Sequence, residues 1–155
     1  MTRNVEQEIY EDAQILRKLH APMKIKVKLL GDLLAQYDNI WQVTGITYDA
    51  IKVFHSNNFK KISRMGINRS HKIDRSESYK NLLSQNLTFD LWWKYFLEIN
   101  TCVLATSSEN MSNKWSKVIE IDTNLGLFKS SGFAWTHSIK REGLYLKSLF
   151  RSLNL

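Results

Sequence analysis

From Asn4 to Leu19 the apolar residues Val5, Ile9, Ala13, Leu16 and Leu19 fall on one stripe of a helix. Residues 1–20 therefore read as an N-terminal amphipathic helix, with Asn4 and Gln7 as a capping pair and Pro22 as the stop. Lys24 to Leu30 alternates charged and apolar residues, the period of a half-exposed strand, and Gly31-Asp32 breaks it. Leu33 to Ile40 reads as a short helix. Trp41 to Phe54 is strand-like, with Gly45 as a turn or bulge and Ile51 and Val53 on one face. The densest apolar block, Leu91 to Ser108 (LWWKYFLEINTCVLATSS), predicts two central strands joined near Asn100 and Thr101. Ser116 to Asp122 predicts a short element, and Ile139 to Phe150 a last strand broken at Gly143. Strands flanked by helices predict an α+β fold: a single domain over residues 1–155 with a mainly antiparallel sheet.

Length agrees, since 155 residues match one ordinary domain with a real core. No apolar run approaches the ~18 to 20 residues that cross a bilayer. The polar, acidic start MTRNVEQEIYEDAQ argues against a secretory signal, so the sequons at Asn68, Asn86 and Asn110 carry no weight. The lone cysteine, Cys102, excludes an internal disulfide and cysteine-based zinc motifs, and its apolar neighbours make it a buried core thiol. His20, His55, His71 and His137 show no metal-ligand spacing, and six scattered glycines build no phosphate loop. Neither a metal nor a cofactor is expected.

Charge changes the picture more. The net charge is +7, and the span Lys52 to Lys80 holds eight basic residues against Asp74 and Glu77. Within it, residues 56–80 read as a long basic connection anchored only by Phe59, Ile62, Met65, Ile67 and Ile73. A local positive field of this kind attracts phosphates or a small dianion. Lysine and asparagine far outnumber alanine, glycine and proline, the bias of an AT-rich genome. A plastid stroma or a bacterial cytoplasm is the expected compartment.

Several runs, in order, resemble the chorismate-lyase-like proteins of cyanobacteria and algal plastids. They are Ala21-Pro22 with Leu29-Leu30-Gly31-Asp32; Val43-Thr44-Gly45 with Ile51-Lys52-Val53; Tyr95-Phe96-Leu97 with Leu104-Ala105-Thr106-Ser107; and Leu125-Gly126, Phe128 and Arg141-Glu142-Gly143-Leu144-Tyr145. The resemblance implies release of pyruvate from chorismate to leave 4-hydroxybenzoate, without metal or organic cofactor. Such a substrate is a dianion and needs fixed cations on its carboxylates. The family's arginine falls at Trp93 or Lys94, so Lys94 would supply that charge, with Ser107, Lys140 and Arg141 as further substrate contacts. The family's catalytic glutamate has no counterpart here, so no catalytic residue is assigned.

Two other readings come from the residues themselves. In one, the basic segment binds nucleic acid or an assembly partner through Lys60, Lys61, Arg64, Arg69, Lys72 and Arg75, interleaved with Phe54 and Phe59. In the other, Ala105-Thr106, Asn110 and Asn113-Lys114 resemble the tail of phage-type His-Asn-His endonucleases, with His71 on the metal side.

Overall fold

The computed structural model describes residues 4–37, 39–62, 64–129 and 140–154. The fold is α+β, as expected: helices flank a four-stranded, mostly antiparallel mixed sheet. The chain forms two compact units, Met1–Ile40 with His71–Thr101 (unit 1) and Trp41–Ser70 with Cys102–Leu155 (unit 2).

Unit 1 is helical. Helix α1 (Val5–Lys18) begins where the sequence placed it, and the Asn4 side chain accepts from the Glu6 N–H. Gln7 bonds Glu11 rather than completing a cap. Pro22, expected only as a stop, is the N-cap of α2 (Met23–Leu34). The lysine alternation from Lys24 to Leu30 is therefore helical, not a strand. Met23, Val27, Leu30 and Leu34 recur at helical spacing, Leu30 and Leu34 are buried, and Lys26 turns its ammonium back to the Arg17 carbonyl at 2.8 Å. Leu33 and Leu34 finish that same helix.

Two more helices complete the unit, α4 (Arg75–Ser84) and α5 (Phe89–Ile99). The largest correction falls on α5, where the sequence reading put the first of two central strands. Asp90, Lys94 and Glu98 are exposed four residues apart, while Trp92, Phe96 and Ile99 are buried, which is a helix period. Trp92 is wholly buried, stacked on Phe96 at 5.4 Å and met edge-on by Tyr10 at 5.9 Å. Offset stacks and edge contacts of this kind add about 0.5–1.5 kcal/mol each beyond the area buried.

Unit 2 is built on the sheet, in the order β2-β3-β1-β4, where β1 is Gln42–Thr47, β2 Ile67–His71, β3 Thr101–Thr106 and β4 Val118–Glu120. β1 and β4 are antiparallel, with Gly45 opposite Glu120 and Thr47 opposite Val118. β2 and β3 run oppositely too, tied at one end by the Ser107 N–H to the Gly66 carbonyl and at the other by the Lys72 N–H to the Thr101 carbonyl. The mixed sheet thus has its parallel pair at the centre, β3 beside β1. Cys102 to Ala105 are all buried, as a central strand covered on both faces requires. Cys102 is a core thiol as expected, its Sγ 3.4 Å from the Gln42 carbonyl.

Further expectations are corrected in this unit. Trp41 to Phe54 divides into β1 and a helix, α3 (Tyr48–Ser56). Gly45 is neither turn nor bulge but a mid-strand position of close approach. A Cβ there would meet Val118 Cγ1 at 2.6 Å and the Ile119 carbonyl oxygen at 3.0 Å. The 56–80 connection contains β2 and the start of α4. Lys140 to Phe150, expected as a strand, lies in helix α7 (Lys140–Ser152); Ile139 lies outside the described residues. Glu142, Tyr145, Leu146, Leu149, Phe150 and Leu153 recur there at helical spacing. Gly143 is kept small by the Phe59 carbonyl oxygen, 2.9 Å from where its Cβ would stand.

Both central strands end in a threonine that caps the next helix. Thr47 caps α3, its Oγ1 accepting from the Ala50 N–H, and Thr106 caps α6 (Ser107–Ser112) in a capping box with Glu109. The Glu109 carboxylate joins the two ends. One oxygen accepts from Thr47 Oγ1 at 2.8 Å, the Thr106 N–H at 2.8 Å and Thr106 Oγ1 at 3.0 Å. The other accepts from the Ser116 N–H at 2.8 Å and Ser116 Oγ at 2.6 Å. Burial pushes this carboxyl up, but the bonds from Ser116, Thr106 and Thr47 outweigh it and hold the pKa at about 2.

A folded-state pKa below the unfolded value stabilises the fold above the unfolded pKa, and that stability drains as pH falls toward the folded one. For Glu109 the window runs from about 4.5 down to about 2 and holds about 3 kcal/mol. Glu109→Gln should therefore lower stability by about 2–4 kcal/mol at pH 7, and urea melts should show the gap from wild type closing as pH drops from 5 to 2. A gap independent of pH would remove the carboxylate from this role.

Candidate nucleic-acid interface

The sequence placed the positive charge in one segment, and the structure redistributes it. Unit 2 holds twelve lysines and arginines against five carboxylates, a net +7; unit 1 holds ten against ten. The whole net charge of the chain thus resides on the unit that carries the sheet. Two of its five carboxylates, Glu109 and Glu142, are buried, which leaves Asp49, Glu120 and Asp122 at the surface. None of its twelve cations is fully buried, though Lys61, Arg69 and Lys129 are half-buried.

Of the basic residues singled out from sequence, Lys60, Lys61, Arg64 and Arg69 belong to this unit. Lys72 and Arg75 belong to unit 1, where Asp74 and Glu77 sit among them at the start of α4. Those two therefore do not count toward the net +7 of unit 2. The missed contributors are Lys114, Lys117, Lys129, Lys147 and Arg151, which lie far along the chain from the segment that drew attention.

Three of the singled-out cations come together around one carboxylate. Glu142 lies at the start of α7 and accepts from the Phe128 N–H; Lys61, Arg69 and Arg141 all bear on it electrostatically. Burial pushes the Glu142 carboxyl up, against the pull of the Phe128 bond and those three cations. Arg141 donates to the Leu125 carbonyl at 2.8 Å, and the Arg69 guanidinium stands 4.3 Å from the centre of the Trp41 ring. Burial, followed by repulsion from Arg69, lowers the Lys61 ammonium to about 7, and Glu142 pulls the other way. Glu142 thus gathers the charges of Lys61, Arg69 and Arg141 together with one backbone N–H. A second group of cations surrounds Tyr48, whose ring has Lys52 Nζ at 5.8 Å and Lys117 Nζ at 5.7 Å.

The residues expected to hold a carboxylate substrate fall in different units. Lys94 is exposed on α5 of unit 1. Ser107, Lys140 and Arg141 lie in unit 2, where Ser107 Oγ accepts from Asn68 at 2.9 Å, and Lys140 is exposed at the start of α7. Among the described residues no three His, Cys, Asp or Glu side chains gather as a metal site. Nor, among the described residues, is any helix long and apolar enough to cross a membrane. Glu109 was missed, although Thr106-x-x-Glu109 is a capping-box pattern readable from sequence. Compared with known protein families, curated proteins and solved structures, the chain matches none.

The Lys61 shift has a checkable sign. In the window from about 7 to the ordinary lysine value the unfolded chain holds a proton that the folded chain has released, so stability rises with pH across it. Lys61→Met is expected to stabilise the fold at pH 6 and to do so less at pH 9, read from denaturant midpoints. An effect that grows with pH would contradict the buried-ammonium account.

Proposed function

We propose that unit 2 binds the phosphate backbone of nucleic acid without reading base sequence. The observation that carries this is the segregation of charge: a net +7 on one unit and none on the other. A polyanion neutralised by such a surface releases its condensed counterions, which supplies affinity independent of sequence. The cluster of Lys61, Arg69 and Arg141 fits one phosphate, because an anion there offsets the burial and the repulsion from Arg69 that together lower the Lys61 ammonium. Arginines braced on a ring or a carbonyl, as Arg69 and Arg141 are, lose less freedom on binding. The cations alternate with few exposed aromatic rings, so contacts to phosphate, rather than stacking on bases, dominate.

Binding to a short duplex should weaken steeply with salt. Lys60→Gln and Arg64→Gln should each weaken it evenly across duplex sequences and reduce the slope of log K against log salt by about 1. Lys94→Gln, in unit 1, should leave both unchanged. Affinity insensitive to salt, or lost equally with Lys94→Gln, would defeat the proposal.

The chorismate-lyase reading draws its support from the α+β class and the mostly antiparallel sheet. Against it, Trp92, two residues before Lys94, is wholly buried and stacked on Phe96 in the core of unit 1. Incubation with chorismate, with pyruvate and 4-hydroxybenzoate monitored, is expected to show no turnover above buffer. Measurable turnover would reinstate it.

A further inference from the structure

Unit 1 has no net charge, yet most of the charge within its first two helices is segregated along the chain. Residues 4–13 hold Glu6, Glu8, Glu11 and Asp12 and no lysine or arginine. Residues 14–28 hold Arg17, Lys18, Lys24, Lys26 and Lys28 and no carboxylate, and Asp32 is the one charge in residues 29–37. α1 and α2 pack as an antiparallel hairpin. The Lys26 ammonium reaches the Arg17 carbonyl at the turn, while Glu8 and Asp12 bear on Tyr37, just past the other end of α2. Folding therefore gathers Glu6, Glu8, Glu11 and Asp12 toward the open end of the hairpin and Arg17, Lys18, Lys24 and Lys26 toward the turn, while Lys28 and Asp32 pair with each other at 2.5 Å.

An apolar patch lies between and beside them. Ile15 is 60% exposed, Leu19 41%, Ile25 47% and Leu29 39%. Ile15 and Leu19 stand seven residues after Glu8 and Asp12, and so lie on the flank of α1 that faces α2. Ile25 and Leu29 stand one turn apart on α2, and Leu29 is three residues past Lys26, on the side turned to α1. Four large apolar side chains along one seam of a helical hairpin are what an interface leaves in water when its partner is absent.

We infer that this surface takes a second copy of the same chain, with two α1–α2 hairpins packed antiparallel about a two-fold axis. A two-fold interface is self-complementary, so each patch residue meets the patch of the other copy. The same operation lays the acidic end of each hairpin on the basic end of the other, twice. A parallel arrangement sets like charges together and is excluded by the same sorting. The surface belongs to unit 1 alone and does not depend on nucleic-acid binding by unit 2. Dimerisation would double the phosphate-binding surface without a new contact to nucleic acid.

The test uses sedimentation equilibrium of the full chain and two reciprocal variants, Glu6→Lys/Glu11→Lys and Lys18→Glu/Lys24→Glu, with helicity checked by circular dichroism. Wild type is expected to move with concentration from 18.2 kDa toward twice that mass. Each variant alone should self-associate at least about tenfold more weakly, since it meets its own sign, and an equimolar mixture should recover the dimer. The mixture is the decisive arm, because two variants that merely misfolded would not rescue each other. A monomeric wild type, or variants that dimerise as wild type does, would overturn the inference. Salt-dependent nucleic-acid binding, measured separately, stands or falls on its own.

Discussion

The sheet depends on one buried carboxylate. Glu109 collects five hydrogen bonds from Thr47, Thr106 and Ser116, and through them ties the ends of the parallel pair β1 and β3 to the segment that leads into β4. Parallel neighbours come from distant parts of the chain, so nothing local sets their register. Here the register is fixed where both strands stop, by two threonines that each begin a helix. A buried charge without those five donors would cost the fold heavily; with them it fixes the ends of both central strands. The close packing of Gly45 under Val118 and Ile119 follows from that alignment, since β4 can approach β1 only once Ser116 is held.

Charge is the second organising feature. Each unit buries its own core, Trp92 and Phe96 in one and Val43, Ile46, Phe54, Leu104 and Leu146 in the other, yet their surfaces differ completely. Unit 2 withdraws two of its five carboxylates into the interior and leaves most of its cations exposed. Unit 1 balances its charges to zero and segregates most of those in its first two helices along the hairpin. One chain thus presents a surface suited to a polyanion and another suited to itself.

The α+β class and α1 were legible because both follow from local periodicity and capping. The block from Leu91 was misread because its apolar run is continuous, and only the faint polar beat of Asp90, Lys94 and Glu98 marks a helix. In α2 the alternation of Lys24, Lys26 and Lys28 imitated a strand, since lysine covers apolar surface as readily as it faces water. The basic surface was legible only in part. Lys60 to Arg69 are neighbours in sequence, whereas Arg141 joins Lys61 and Arg69 through the fold, and Lys117 meets Lys52 at Tyr48. The pairing of Glu142 with Lys61 and Arg69 spans some eighty residues and leaves no local trace.

Cys102 gives the parallel pair an internal clock. Its thiol is the only one in the chain and sits in the strand that no solvent reaches, bonded toward Gln42 of the neighbouring strand. A thiol reagent can reach it only when the buried layer around the centre of the sheet opens, so the rate of its modification reports such openings. The chain therefore carries a built-in gauge of opening at its core, placed at the end of the strand pair opposite the one that the buried carboxylate holds.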